Sequence, residues 1–280
     1  MIHLKDRAII EISGDDRKKF LQGLITNDVE KTSATNLIYA VMLNAPGRFL
    51  YDFFIFDDGE KLVLDCLAAR RDEIFQKLNF YKLRSQVVIK KNDELKVISN
   101  EGGQGFLDPR NPKLGHRLYG NATCDSLTNY ELLRISLKVP ESESDLTYEK
   151  SLILEFGFDD LNAIDYIKGC YVGQELTART HYRGEIRKKI FHVVIPAQAG
   201  IQNNALGASN KTSWIPAYAG MTRNAIEKNS EIYCEGKSVG IILSSIFHKN
   251  ELHALALVKD SQDIDLQKLD LSGHKISVIS

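Results

Sequence analysis

The residues best suited to chemistry lie in one octamer, Lys-Gly-Cys-Tyr-Val-Gly-Gln-Glu, which occupies positions 168–175. Its thiol, Cys170, stands between two glycines, which permit tight turns and let another molecule approach the backbone closely. Lys168 lies two residues before the thiol, and two arginines and a histidine follow soon after it. Nearby positive charge favours the thiolate, which is both a nucleophile and a ligand for soft metals. Cys170 and Lys168 are therefore the candidate catalytic residues.

The same residue types also suit a buried core cysteine, which is the common fate of a free thiol. The chain has four cysteines, Cys66, Cys124, Cys170 and Cys234, which are far apart and form no Cys-x-x-Cys pair. This spacing argues against a structural zinc site and against a disulfide scaffold. Cys66 lies in an apolar run and is expected to serve packing, whereas Cys124 and Cys234 are assigned no role. Local chemistry leaves a reactive and a structural role for Cys170 equally open.

Composition excludes some classes of function. Of the 280 residues, 43% are hydrophobic and 26% are charged, which are ordinary values for a globular protein. The net charge of −1 lacks the basic excess of a nucleic-acid-binding protein. No window approaches the roughly 18 apolar residues that span a bilayer, and residues 1–20 have neither signal-peptide nor transit-peptide character. We therefore expect a cytoplasmic protein with no nucleic-acid and no membrane partner.

One local cluster of basic residues departs from the overall charge balance, and it comprises Arg183, Arg187, Lys188 and Lys189. Charge runs of this size are typical of a solvated strand or helix end. A site for phosphate or another polyanion is the alternative interpretation.

The first part of the chain predicts an α+β domain with antiparallel strands. Apolar runs alternate with turn signals such as Asn44–Gly47 and Asp57–Gly59, which are typical of β-hairpins. Strands are predicted at 8–13, 37–43, 49–56, 61–66, 87–89 and 95–98. Helical spacing of apolar residues predicts helices from Asp15 or Asp16 to Leu24 and over 68–81. Residues 130–137 are predicted to be a helix or a strand, and the octamer is predicted to be a loop.

From Arg187 onward the pattern changes to short strands, predicted at 189–195, 232–235, 239–244 and 252–258. Such spacing with intervening turn residues is typical of a small all-β sandwich or barrel. We therefore divide the chain into an α+β domain of residues 1–185 and a β module of residues 186–280.

An insertion is predicted to interrupt this β module at about residues 196–228. The segment Ile195–Ile201 recurs in similar form as Ile215–Met221, and the residues around the two copies are small and polar. A structureless loop of this length inside a compact module is uncommon. The near-duplicate resembles peptides encoded by mobile palindromic repeats that insert into bacterial genes, which favours a tolerated insertion over a binding loop.

The octamer, continued by Ala178-Arg179 and Arg183-Gly184, resembles the signature of the YgfZ family of folate-binding proteins. That family includes a mitochondrial branch that acts in iron–sulfur cluster assembly, and it is related in fold to the aminomethyltransferase (T-protein) of the glycine cleavage system. Further segments resemble its motifs in the right order, at Phe20–Val29, Leu43–Asp52, Leu133–Pro140, Phe158–Asp165, Val239–Gly240 and Ala254–Val258. The resemblance covers nearly the whole chain except the insertion.

The resemblance implies a T-protein-like folate-binding α+β domain arranged around a central channel, followed by a small C-terminal β-barrel. It also implies tetrahydrofolate, or a derivative, as the ligand. A pterin needs a hydrogen-bonding carboxylate, and a glutamyl tail needs a cationic partner. Glu155 stands about where the family places a glutamate and is the pterin candidate. The other expected pocket residues are Asn27, Asp28, Arg48, Tyr51 and Arg134.

Ordinary structural roles also suit these pocket residues. Asp28 could cap a helix, Arg48 could be a turn charge, and Arg134 could belong to a surface ion pair.

Two positions depart from the related patterns. T-proteins carry paired aspartates where this chain has Tyr51-Asp52, so one carboxylate of a proton-transferring pair is missing. Members of the YgfZ family usually have glycine at the position of Lys138, which leaves the local backbone path open.

We expect a tetrahydrofolate-binding accessory protein that assembles or repairs iron–sulfur clusters in client enzymes through Cys170. Its expected partners are the folate and client iron–sulfur proteins or assembly factors. The alternative is a folate-dependent aminomethyltransferase of the glycine cleavage type. A third possibility, an interaction module that binds no folate, remains open because fold likeness alone does not select among functions.

Overall fold

A computed structural model describes residues 1–100, 102–120, 128–196, 227–249, 251–271 and 274–279. Across these ranges the strands form three sheets of five, four and seven strands, and every pairing of named strands is antiparallel. The expected mixture of helices with antiparallel strands is confirmed.

The described residues up to position 120 form two of the sheets and two α-helices. In chain order the elements are β1 (Ile2–His3), β2 (Arg7–Ser13), α1 (Arg17–Gln22), β3 (Ile38–Leu43), β4 (Phe49–Asp57), β5 (Lys61–Leu67), α2 (Arg71–Lys82), β6 (Val88–Asn92), β7 (Lys96–Asn100), β8 (Phe106–Leu107) and β9 (His116–Gly120). The strand orders are β3–β4–β5–β2–β6 and β1–β7–β9–β8.

The five-stranded sheet is covered on both faces. All six residues of β3 are buried, and so are eight of the nine residues of β4. One face packs against apolar side chains of α1 and α2, such as Leu21 and Leu78, and the other packs around Phe54 and Phe158. Burial on both faces explains why these strands read as continuous apolar runs rather than as alternating ones.

Helix α1 ends earlier than predicted. Gln22 is its last residue, and the following Gly23 closes it through a backbone bond to Leu21. The carboxylate of Asp16 does not cap the helix, because it accepts a hydrogen bond from the backbone N–H of Gln86 at 2.7 Å instead.

The remaining elements, in chain order, are α3 (Thr128–Ser136), α4 (Gln174–Arg183), β10 (Lys188–Pro196), β11 (Glu231–Cys234), β12 (Lys237–His248), β13 (Glu251–Lys259), β14 (Leu269–Leu271), β15 (His274–Lys275) and β16 (Ser277–Ile279). The seven strands form one barrel-like sheet in the order β15–β14–β11–β12–β13–β10–β16. The domain division at residues 185 and 186 stays a prediction. Nearly all of the predicted insertion, residues 197–226, lies outside the described residues.

Lys138, which replaces a family glycine, adopts a left-handed backbone conformation with φ 58° at the end of α3. The N–H of the next residue, Val139, donates to the carbonyl of Arg134 at 2.8 Å and closes the helix. The backbone therefore follows a path that glycine adopts without strain, at a cost to lysine of roughly 1–2 kcal/mol.

Buried charges join the two N-terminal sheets. Asp65 on β5 accepts from Arg7 on β2 at 2.6 Å and from Arg117 on β9 at 2.9 Å, so one carboxylate ties both sheets together. We call the whole set the arginine–carboxylate cluster: Arg7, Asp52, Asp65, Asp108, Arg110, Arg117 and Glu141. Removing one partner from such a cluster is strongly destabilising, because it leaves a buried charge uncompensated.

Glu141 is expected to make stability acid-sensitive. Burial would raise its pKa, but Arg110 and Arg134 outweigh burial and lower the pKa to about 2. Because this lies below the unfolded value of about 4.3, the contribution of Glu141 is fully present above that value and is lost as pH falls towards about 2. In urea titrations, the stability advantage of wild type over Glu141→Gln should shrink by on the order of 2 kcal/mol between about pH 7 and about pH 3. A pH-independent difference would contradict this role.

Candidate functional site

The octamer is part loop and part helix. Residues up to Gly173 form the loop, and Gln174 and Glu175 already belong to the first turn of α4, so the prediction of a loop over all eight residues is wrong at its end. The Gln174 side chain folds back and accepts a hydrogen bond from the backbone N–H of Tyr171 at 3.1 Å. The helix start thus fixes the loop that precedes it.

Hydrogen bonds from the side chain of Lys168 fix the loop to the N-terminal part of the chain. Its ammonium group donates to the carbonyl oxygens of Gln22 at 2.7 Å, Ile25 at 2.6 Å and Asn27 at 2.8 Å. An ammonium has three N–H donors, so all three are used. Hydrogen bonds from a charged donor are among the strong ones, and they fix where the loop begins.

Further contacts tie the residues before the octamer to the same N-terminal segment. The backbone N–H of Asp165 donates to the carbonyl of Thr26 at 3.0 Å. The Thr26 hydroxyl donates to the carbonyl of Ala163 at 2.6 Å, and the Asn27 amide donates to the carbonyl of Asn162 at 2.8 Å. Two motifs far apart in sequence therefore form one structural unit.

Two glycines allow the loop to touch the β3–β4 turn. Gly173 has φ +82°, and a Cβ there would lie 2.4 Å from the carbonyl oxygen of Asn44. Gly47 in the turn has φ +80°, and a Cβ there would lie 2.9 Å from the carbonyl oxygen of Gly173. Only glycine fits either position without displacing backbone.

The fold leaves Cys170 exposed to solvent, whereas Cys66 and Cys234 are buried. Burial raises the pKa of the Cys66 thiol to about 12, so Cys66 is inert at neutral pH. The packing role expected for Cys66 agrees with this position. Cys124 lies outside the described residues.

The structure gives Lys168 a positioning role. Its position in the sequence predicted a charge beside the thiol, but the ammonium group is engaged by three carbonyl oxygens. Burial lowers the pKa of Lys168 to about 8, with Asp28 and Asp165 acting in the opposite direction. The side chain therefore remains mostly charged at neutral pH and holds the loop rather than pairing with a partner near Cys170.

The side chains predicted to form a folate pocket bond mainly to other residues of the protein. The Asn27 amide donates to the carbonyl of Tyr39 and its oxygen accepts from the N–H of Asp28. Asp28 caps the short 3-10 helix Val29–Lys31, and Arg48 donates to the carbonyl of Lys150 at 3.0 Å. These three side chains make structural bonds, and those of Asn27 and Arg48 reach residues more than 100 positions away in the chain.

Tyr51 and Arg134 are also engaged elsewhere. The Tyr51 hydroxyl donates to Glu73 at 2.6 Å and lines a separate cavity of about 300 Å³. Arg134 is 2% exposed and pairs with Asp145 at 3.0 Å and with Glu131 at 2.7 Å. Burial would lower the pKa of Arg134, but Asp145 and Glu131 outweigh burial and raise the pKa. The surface ion pair considered for Arg134 is in fact a buried one.

Of the six, only Glu155 lines a cavity whose volume is about 610 Å³. The cavity lies between the 3-10 helix Ile153–Phe156, helix α4 and the start of β10. Arg179, Arg183 and Arg187 line it as well. Neither Glu155 nor these arginines form an ion pair with a described residue, so the cavity presents free groups of both signs.

Two features of the fold were not predicted from the sequence. The arginine–carboxylate cluster holds Asp52, which accepts from Arg7 at 3.1 Å and from the Tyr39 hydroxyl at 3.2 Å. The arginines of α4 were visible in the octamer's continuation, but their helical spacing beside Glu155 became apparent only in the fold. A helix predicted to start at Gln174 would have placed Arg179 and Arg183 on one face.

The fold as a whole is that of a glycine-cleavage aminomethyltransferase. The crystal structure of glycine cleavage system aminomethyltransferase T from Bartonella henselae superposes with a TM-score of 0.72, covering 100% of this chain and 84% of that one. Identity is 13%, so this likeness concerns the fold alone. No family model matches the chain.

In sequence the chain is similar to iron–sulfur cluster assembly factors named IBA57. It is 32% identical over 231 residues to the mitochondrial homologue of Neurospora crassa, covering 69% of this chain and 53% of that protein. It is 33% identical over 220 residues to the Pyricularia oryzae homologue, with coverages of 69% and 56%. The human protein is 30% identical over 230 residues, with coverages of 68% and 65%. The chain thus spans little more than half the length of the two fungal relatives.

The expected cytoplasmic location is contradicted by these relatives, all three of which are named as mitochondrial proteins. The expectation relied on the charge pattern of residues 1–20, which is a weak basis for assigning a compartment.

No helix in the described ranges combines the length and apolar character that crossing a membrane requires. Within the same ranges, no group of three or more His, Cys, Asp or Glu side chains is arranged to hold a metal ion. Cys170 therefore has no set of neighbouring protein ligands among the described residues.

Replacing Lys168 by methionine should loosen the site. Lys168→Met keeps the length of the side chain but leaves three carbonyls without their donor, so we expect a loss of about 1.5–3 kcal/mol in the free energy of unfolding. Lys188→Met is the matched control, because Lys188 forms no ion pair with a described residue, and it should change stability by less than about 0.5 kcal/mol. Equal urea midpoints for the two variants would contradict the stabilising role of the Lys168 hydrogen bonds.

Proposed function

We propose that this protein is an accessory factor for the assembly or repair of iron–sulfur clusters in client enzymes, with Cys170 as its working thiol. The observation that carries the proposal is the exposed position of Cys170 on a loop pinned by Lys168. Support also comes from the relatives named as iron–sulfur cluster assembly factors. A free thiolate is a nucleophile and a ligand for iron.

The surroundings of Cys170 favour a cluster that is shared with a partner protein over a cluster that this protein binds alone. Iron–sulfur clusters are held mainly by several cysteine thiolates, and the described residues offer no such group. Cys170 would therefore supply one thiolate, releasing its proton to solvent, while a partner supplies the other ligands. In this scheme the cluster is cargo, that is, a substrate passed on to a client and not a bound cofactor of this protein.

We further propose that tetrahydrofolate, or a derivative, binds the cavity lined by Glu155. The volume of about 610 Å³ lies within the usual range for ligand sites. The free carboxylate of Glu155 suits the N–H groups of a pterin, and the unpaired guanidinium of Arg179 suits a glutamyl carboxylate. The lining is aliphatic rather than aromatic, so polar groups would provide most of the selectivity.

A folate-dependent aminomethyltransferase is the second candidate, favoured by the fold likeness. Asp52, the one carboxylate left from the T-protein pair, is 1% exposed and is held by Arg7 and Tyr39. A carboxylate engaged in this way is a poor proton acceptor for a substrate. Turnover of an aminomethyl-loaded carrier with tetrahydrofolate by purified protein would favour this candidate over the first.

The thiol proposal predicts the behaviour of two substitutions at Cys170. In a strain that lacks its own relative, Cys170→Ser and Cys170→Ala should both fail to restore the activity of a [4Fe–4S] dehydratase. Because Cys170 is exposed, both variants should retain the stability of wild type within about 0.5 kcal/mol. Cys66→Ala is the control, and it should restore activity if it folds, although removing the buried sulfur costs stability. Full restoration by Cys170→Ala would show that the thiol is not used.

The folate proposal predicts thermal stabilisation. At about 100 times its dissociation constant, tetrahydrofolate should add about 2.7 kcal/mol of stability, which is measurable as a rise in melting temperature. Glu155→Gln should weaken this rise because an amide is a poorer acceptor for the pterin N–H groups. Glu94→Gln serves as the control, because Glu94 is exposed and lies outside this cavity. No rise with wild type at millimolar ligand would exclude the folate proposal.

A further inference from the structure

The segment before the thiol loop exposes an isoleucine side chain to solvent, although hydrogen bonds hold the backbone of this segment in place. Ile167 is 96% exposed, yet the residues on both sides of it are anchored. The carboxylate of Asp165 accepts from the backbone N–H groups of Ile167 at 2.7 Å and Lys168 at 3.1 Å. The same carboxylate pairs with Lys31 at 2.7 Å. The exposure of Ile167 is therefore a consequence of the fold and not of a loose loop.

Aromatic stacking joins this loop to helix α4. The ring of Tyr166 stacks on that of His181 with centroids 3.8 Å apart and meets Tyr182 edge-on at 5.9 Å. Tyr182 is itself 67% exposed. Ile167 directly follows Tyr166 in the chain, so the exposed Ile167 and Tyr182 are placed at neighbouring points of one surface.

Cys170 lies close to this face. It is three positions after Ile167 in the chain, so their Cα atoms are at most about 11 Å apart. A protein seated on Ile167 and Tyr182 would bring its own side chains within reach of the thiol.

The charge around the face indicates what kind of protein would fit. Arg179, Arg183, Arg187 and Lys188 form no ion pair with a described residue. On α4, Arg179 lies three residues before Tyr182 and Arg183 directly after it, so both flank this exposed ring. Cations that form no ion pair with a described residue, beside exposed apolar side chains, match a partner surface with carboxylates around an apolar depression.

We propose that Ile167, His181, Tyr182 and Arg183, called here the Ile167 surface, dock the protein that shares the cargo of Cys170, through an acidic face with an apolar depression. This inference rests on the proposed function, and it assigns the partner's chemistry and the residues that select it. Ile167 enters the depression, Tyr182 packs beside it, and the basic side chains steer approach. Large exposed apolar side chains rimmed by polar ones are typical of such interfaces.

The test uses the full chain in a strain that lacks its own relative, with the activity of a [4Fe–4S] dehydratase as the readout. Ile167→Asp and Tyr182→Ser should each lower the restored activity about tenfold, because central apolar contacts dominate interface energies. Phe80→Asp is the matched control, since Phe80 on α2 is 76% exposed and lies outside this surface. It should restore activity like wild type.

A second measurement separates docking from damage to the loop. In Ile167→Asp, the alkylation rate of Cys170 and the melting temperature should equal those of wild type. Slower alkylation would show that the loss of restored activity comes from a distorted loop, and it would overturn the proposal. Arg183→Glu should also lower the restored activity. If Arg183→Glu is impaired while Ile167→Asp is fully active, the loss belongs to the cavity that Arg183 also lines, and the docking proposal is overturned.

The outcome at Cys170 distinguishes the two proposals from each other. Full activity of Ile167→Asp together with loss of activity in Cys170→Ala would overturn the docking surface and leave the proposed function standing. Full activity in both variants would overturn the proposed function and the docking surface with it.

Discussion

The fold depends most on one interaction, the ammonium group of Lys168 held by the carbonyls of Gln22, Ile25 and Asn27 at 2.6–2.8 Å. It joins the segment after α1 to the loop before α4, which are more than 140 positions apart in the chain. The Gly47–Gly173 contact and the turn at Asp165 add to the same junction. Because this junction is fixed, the thiol of Cys170 is presented to solvent in a defined place, which a cargo-sharing role requires.

The arginine–carboxylate cluster bears on the choice between the two proposed functions. Asp52 lies on β4 with its carboxylate turned into the cluster, while Tyr51 lies on the opposite face and bonds Glu73. A carboxylate that holds sheets together is not free to accept a proton from a substrate. Chemistry in this chain is then expected at the periphery, at Cys170 and in the cavity lined by Glu155.

The sequence predicted the elements better than the site. Apolar runs bounded by turn signals located β3, β4 and β5 to within one or two residues, because burial on both faces leaves a local pattern. The exposure of Cys170 could not be read locally, since it depends on distant contacts of Lys168. Arg134 was assigned to a ligand because nothing in the sequence marks Asp145 as its buried partner. Ion pairs such as Arg7–Asp65, which join residues 58 positions apart, leave no periodic signal.

The most direct test of the account is chemical blocking of Cys170 in the folded protein. Brief alkylation of a Cys124→Ser variant at neutral pH should modify Cys170 and spare the buried Cys66 and Cys234. The modified protein is then added to an extract that lacks the relative, and activation of a [4Fe–4S] dehydratase is followed. The account predicts that the alkylated protein keeps its melting temperature and loses activation, while the unmodified variant remains active. Undiminished activation by protein fully alkylated at Cys170 would contradict it.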